Sequence, residues 1–123
     1  MLKESYEVKK ESYEIKKESY EIKKVLGDME MAYKYRLTES EYNMIRVYGI
    51  TVEREYIKEN KVIETERESI NLISPKKEKV EKLLEVLYKG EVSPIHLIDI
   101  VGEYVDKCVY DFNEYENIDE KVI

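Results

Sequence analysis

Tryptophan is absent from this chain, phenylalanine, histidine and cysteine occur once each, and there are only two prolines and four glycines. Each scarcity removes a class of protein. The single Cys108 cannot build an internal disulfide framework and fits a reducing cytoplasm. His96 is the sole imidazole, so an intrachain structural zinc site lacks ligands, and no metal or other cofactor is expected. Gly27, Gly49, Gly90 and Gly102 never cluster, which excludes a phosphate-cradling loop of the P-loop or dinucleotide type.

Long apolar runs are also missing. No stretch reaches the roughly 18 residues that a membrane helix needs, and no apolar region follows a basic start, so neither a span nor a signal peptide is expected. The expected location is the cytoplasm. Basic residues gather only at Lys76, Lys77, Lys79 and Lys82, a run that the first turns of a helix can carry as a solvated face. Without a broader basic surface to neutralise phosphates, nucleic acid is not an expected partner.

What is present is charge and β-branched or aromatic bulk: 40% of the 123 residues are charged, 42% are hydrophobic, and twelve are tyrosines. That is enough apolar material for one domain with a modest core. Plain packing accounts for most of the tyrosines. The charge is uneven, because "KESYEVKKESYEIKKESYEIKK", residues 3–24, holds seven Lys and six Glu, leaving a net charge of about −8 on the rest.

That stretch is a heptapeptide repeated three times. Its period invites a coiled coil, but Tyr13 and Ile15 are two residues apart and lie on opposite sides of a helix. As strands the repeats fare no better, since an odd period moves Tyr and Ile to the other face in each copy. Lys3, Glu7, Lys10, Glu14, Lys17, Glu21 and Lys24 do align on one helical face with alternating sign. The reading is a charged extension over residues 1–27, partly helical or disordered, ending before Gly27.

An α+β domain is expected over residues 31–110. "MAYKYRL", residues 31–37, alternates as a half-buried strand, and "TESEYN" reads as a polar connection. "MIRVYGITVEREYI" follows as a strand with Tyr48, Ile50 and Val52 on one face; Gly49 in its middle suggests a bulge or a close backbone approach. "KENK", residues 58–61, reads as a hairpin turn with Asn60 left-handed, before a third strand that ends near Ile73.

Two segments then open with Ser-Pro, so Ser74 and Ser93 are the expected N-caps. The first helix, 75–89, carries Val80, Leu83, Leu84 and Leu87 on one stripe and is expected to stop at Gly90. The second, 94–109, is apolar around most of its circumference through Ile95, Leu97, Ile98, Ile100, Val101, Tyr104, Val105, Cys108 and Val109. Cover on two sides is expected for it, by the sheet and the first helix or by a second copy of the chain. Residues 111–123 read as an acidic C-terminal tail. The fold class is therefore α+β, a three-stranded antiparallel sheet followed by a two-helix hairpin packed on it.

The candidate site is the polar stripe of the second helix, His96, Asp99, Glu103 and Asp106, spaced three, four and three on one face. His96, Asp99 and Glu103 could hold a metal or a ligand, or His96 could act as a base oriented by Asp99. The plain alternative is the water-facing side of the helix. No nucleophile, oxyanion donors or second imidazole accompany the stripe, so no catalytic residue is assigned. Cys108, toward the C-terminal end of an apolar helix, reads as a buried, inert thiol.

"YRLTESEY", "VYGITVE" and above all "VEKLLEVLYKGEVSPIHLIDIVGEYV" resemble a family of small domains from spore-forming Gram-positive bacteria, domain of unknown function 6514, over about residues 33–108 and without the repeat. The resemblance implies a bacterial cytoplasmic domain and carries over no catalytic residue. The expected function is a non-enzymatic regulatory or adaptor domain, binding a protein partner or a second copy of itself through the second helix or a sheet edge. Two alternatives are a small metal- or ligand-binding domain or enzyme using His96, Asp99 and Glu103, and an acidic decoy that occupies a nucleic-acid-binding partner's basic surface.

Overall fold

Alternation of tyrosine and β-branched residues with charged ones drives the first two thirds of the chain into sheet. A computed structural model describes residues 9–16, through their backbone, and residues 18–113. Strands β2 (Ser19–Leu26), β3 (Met29–Tyr42), β4 (Ile45–Lys58) and β5 (Lys61–Ser74) form an antiparallel meander, and the backbone of β1 (Lys9–Lys16) adds an edge beside β2. The sheet thus has more strands than the three expected. Helix α1 (Lys77–Lys89), a 3-10 turn (Pro94–His96) and helix α2 (Leu97–Lys107) follow. Among the described residues, no helix is long and apolar enough to cross a membrane.

The additional strands come from the repeat, and they overturn the expected helix or disordered extension over the described part of residues 1–27. Tyr20 and Ile22, two apart, share one face of a strand and are both buried. The odd-period objection applies to a strand that runs through several copies. Here the chain turns back between β1 and β2, so each strand uses one copy and needs no seven-residue register. In the β1–β2 ladder Ser12 stands opposite Ile22 and Glu14 opposite Tyr20, with an irregularity between Glu14 and Lys16.

Two-residue turns join the long strands. Asn43 and Met44 have φ of 50° and 65°, and Glu59 and Asn60 have φ of 53° and 63°, left-handed pairs that suit the sheet twist. Asn60 is left-handed as expected. Residues 38–42, expected as a connection, instead extend β3, because Thr38 to Tyr42 pair without interruption against the β-branched run of β4.

Gly49 sits where β5 bulges, as its place in the strand suggested. Register passes from Tyr48↔Ser74 to Ile50↔Ile70, so Asn71–Ile73 stand against Gly49 alone. A Cβ on Gly49 would lie 2.2 Å from the Ile70 carbonyl oxygen. The extra residues bring Ile73 into the core beside Ile50 and Val52.

The buried sheet face, from Tyr20, Ile22, Tyr33, Tyr35, Ile50, Val52 and Ile73, packs against Val80, Leu83, Leu84 and Leu87 of α1 and against Leu97 and Val101 of α2. The Tyr35 hydroxyl donates to the Val92 carbonyl at 2.9 Å, tying the sheet to the link between the helices. Burial pushes that hydroxyl well above its ordinary pKa.

The helix ends differ from expectation. Lys76 takes the N-cap position of α1 without a side-chain cap, while the Ser74 hydroxyl accepts the Lys76 N–H at 3.0 Å. Ser93 holds the expected N-cap position, before the 3-10 turn that Pro94 opens, but makes no side-chain cap, and its carbonyl accepts the His96 N–H at 3.1 Å. At the C-terminus of α1, Gly90 stays right-handed and Glu91 takes the left-handed position with φ 51°. Glu91 N–H to the Tyr88 carbonyl and Val92 N–H to the Leu87 carbonyl, each 3.1 Å, complete a Schellman motif.

The expected start of the acidic tail at residue 111 also moves. After a turn at Cys108 the chain is helical again over residues 109–113, and Asp111 is buried. The expectations for residues 1–8 and 114–123 lie outside the described residues.

Candidate functional site

Charged side chains gather in several places among the described residues, one of them on the sheet, where buried Glu53 pairs with Arg67 and Lys34 bridges to Glu55; three others bear on the helices or bind three strands together. The first is the stripe of α2. His96 Nδ1 stands 4.0 Å from Asp99 Oδ2, both side chains largely solvated, and Glu103 and Asp106 continue along the exposed side with Lys107 and Tyr110 around a shallow open depression. Among the described residues no group of three or more His, Cys, Asp or Glu side chains converges for a metal ion. The four residues share the face that their spacing predicts, but they do not close on a common point.

The second grouping has no counterpart among the sequence expectations. Arg54 on β4 donates through Nε to Glu66 Oε1 at 2.7 Å and through Nη1 to the Tyr33 hydroxyl at 3.3 Å, and the Tyr56 hydroxyl donates to the same Glu66 oxygen at 3.1 Å. Its guanidinium lies 5.5 Å and 5.2 Å from the ring centres of Tyr33 and Tyr56. The Arg54 hydrogen bond holds Glu66 below the ordinary carboxylate value. Every polar group here is answered by another, so the cluster fastens β3, β4 and β5 together. Only the strand register, which places Arg54 between Tyr33 and Glu66, reveals it.

The third joins the end of the helical segment to the start of α1. Asp111 accepts from the Ser74 hydroxyl at 2.7 Å and from Lys79 Nζ at 2.8 Å, with Lys76 Nζ at 3.4 Å. Burial alone would raise this carboxyl, but the Lys79 and Ser74 hydrogen bonds and the two lysine charges outweigh it and hold the pKa below the ordinary aspartate value. The stability it contributes is fully present above that ordinary value and is lost as pH falls through the lowered one. Asp111→Asn should cost about 1–3 kcal/mol at neutral pH and flatten the acid limb, as read by urea unfolding at neutral and acid pH. Cys108 beside it is buried, and burial, then the Asp111 charge, pushes its thiol up, so it is a poor thiolate.

The apolar side of α2 is the outstanding feature. Leu97, Val101 and Cys108 are buried, but within the chain the sheet and α1 do not give α2 cover on two sides: Ile95, Ile98, Ile100 and Val109 are 64%, 57%, 53% and 55% exposed. Ile98, Gly102 and Val105 follow on α2 at steps of four and three, the spacing of a helix-pairing seam, and Ile95 in the 3-10 turn before it and Val109 after the turn at Cys108 extend the row. Val105 is half-buried against the core at the border of this seam. Nothing lies within 4 Å of where a Gly102 Cβ would stand, so the middle of the seam is open. His96, Asp99, Glu103 and Asp106 each follow a seam residue directly, and they form its polar rim.

Gly102 weakens the helix that carries it. Gly102→Ala should raise stability by about 0.5–1 kcal/mol, since the new methyl meets no atom, and thermal unfolding monitored by circular dichroism reads the gain.

An antiparallel meander of at least four packed strands, with two successive helices over one face and an open seam on the second, defines a small α+β domain. The chain belongs to the family of unknown function DUF6514, whose model matches residues 15–107. That match begins well before residue 33 and takes in the third copy of the heptapeptide, which the resemblance had left out. No curated protein and no solved structure matches the chain.

Proposed function

We propose that this protein is a non-enzymatic cytoplasmic adaptor whose docking surface is the open seam of α2. The observation that carries the reading is the row Ile95, Ile98 and Val109, exposed beside half-buried Gly102 and Val105, while the apolar stripe of α1 is buried. Leaving that much aliphatic surface in water is unfavourable by about 25 cal/mol for each Å², and a packed partner recovers it.

The rim argues for the partner's chemistry. Asp99, Glu103 and Asp106 line the seam against a single Lys107, in a protein whose net charge is −7. An amphipathic helix with an aliphatic face and basic flanks complements this surface, laid along the seam with close approach at Gly102. Pairing α2 with α2 of a second copy would set acidic rims against each other, so the seam favours a different protein.

Affinity capture from the native cell, repeated at rising salt, tests the reading. The expected result is one stoichiometric partner whose recovery falls as salt screens the rim. No stoichiometric partner, or retention indifferent to salt, would contradict it.

A further inference from the structure

The repeat poses a question that the adaptor reading does not answer. Residues 17–24, "KESYEIKK", supply β2, and residues 10–17 have the identical sequence. The β2 position is demanding. Tyr20 stacks on Tyr88 with ring centres 4.4 Å apart, and Ile22 is fully buried. Lys24 Nζ lies 2.5 Å from Glu91 and 5.0 Å over the Tyr33 ring, the Leu37 N–H donates to the Glu18 carbonyl at 2.8 Å, and Lys77 pairs with Glu18.

The copy before it carries the same residue at each of these positions. Seven residues upstream, Glu11, Tyr13, Ile15 and Lys17 correspond to Glu18, Tyr20, Ile22 and Lys24. The match to the family starts at residue 15, so the copy that forms β2 belongs to the family domain, and the earlier copies duplicate its first core strand.

We propose that residues 10–17 are a built-in substitute for residues 17–24 in the β2 position, so that this strand has two registers seven residues apart. In the second register residues 20–28 become a loop in place of the tight turn at Gly27 and Asp28. On the β3 side little is lost, the Val25↔Glu30 and Leu26↔Met29 pairs, the turn itself, and a modest loop-closure entropy that grows only with the logarithm of length; the β1–β2 pairs from Lys9↔Val25 to Lys16↔Ser19 are given up as well. The observed register is therefore favoured in the intact chain, and the shifted one takes over when the third copy is damaged. A one-residue slip would turn the core residues outward; a slip by one whole repeat restores them, and only a tandem copy permits it.

The test compares asparagine substitutions in the full chain. Ile22→Asn should reduce the folding equilibrium constant on the order of a hundredfold less than Val52→Asn, because Ile15 replaces Ile22 whereas nothing replaces Val52. Ile15→Asn alone should be close to neutral. The triple variant Val8→Asn, Ile15→Asn and Ile22→Asn, which disables all three copies, should lose the fold. Hydrogen exchange read by mass spectrometry gives the direct signature, since the substitution at Ile22 distinguishes the third copy from the second by mass: in Ile22→Asn, protection should leave residues 20–26, and residues 12–16, paired on one side only in the observed register, should rise to the level that residues 19–24 have in the unchanged chain. If Ile22→Asn is as damaging as Val52→Asn, or if protection stays on residues 19–24, the proposal is overturned.

Discussion

Gly49→Ala is expected to destabilise the domain by about 3 kcal/mol or more, read as the shift of the urea midpoint. A glycine-to-alanine change ordinarily stabilises by up to about 1 kcal/mol, by restricting the unfolded chain. At Gly49 sterics win. The added Cβ would stand 2.2 Å from the Ile70 carbonyl oxygen, 2.5 Å from the Asn71 carbonyl oxygen and 2.6 Å from the Asn71 carbonyl carbon, all backbone. Relief requires the bulge to open, and the bulge is what brings Ile73 into the core. The same substitution at Gly102 has the opposite sign, so the pair separates local sterics from a general effect of losing glycine.

The bulge was legible because a lone glycine in a β-branched run has few other uses. The apolar stripe of α1 and the faces of β3 and β4 were legible for a similar reason, since each periodicity has one amphipathic solution: Val80, Leu83, Leu84 and Leu87 are all buried, as are Tyr35, Ile50 and Val52. The repeat misled because local rules conflict there. Its charges ladder on a helix, its Tyr-x-Ile step alternates on a strand, and only a partner strand decides. That partner is β3, where Tyr33 and Tyr35 stand opposite Ile22 and Tyr20.

The seam of α2 was half legible. Its residues were visible as an excess of apolar bulk, but periodicity alone could not say that the sheet and α1 leave Ile95, Ile98 and Val109 exposed. The Arg54 cluster was not legible at all, because its members come from three strands and meet only through register.

The largest effect on binding is expected from Ile95→Asp with Ile98→Asp. Both side chains are more than half exposed and lie outside the hydrophobic core, so stability should change by no more than about 0.5 kcal/mol at each site. A partner seated on the seam would bury both positions. Truncating central anchors commonly costs about 2 kcal/mol or more each, and a buried, unpaired carboxylate adds to that. The combined loss should exceed roughly a thousandfold in affinity, measured by titration calorimetry or as disappearance of the captured protein. Ile100→Asp, on the other flank of α2, should leave binding nearly intact.

That α2 offers its open, acid-rimmed seam to a basic amphipathic helix is tested most directly by a methyl NMR titration of the full chain. The titrant is a synthetic three-heptad peptide carrying Leu at the seam positions and Lys at the flanks. The predicted result is a saturable shift of the Ile95, Ile98, Val105 and Val109 methyl resonances, weakened by salt, absent with a Glu-flanked peptide and absent in the Ile95→Asp, Ile98→Asp chain. Shifts that miss these four residues, or equal binding of the acidic and basic peptides, would contradict it.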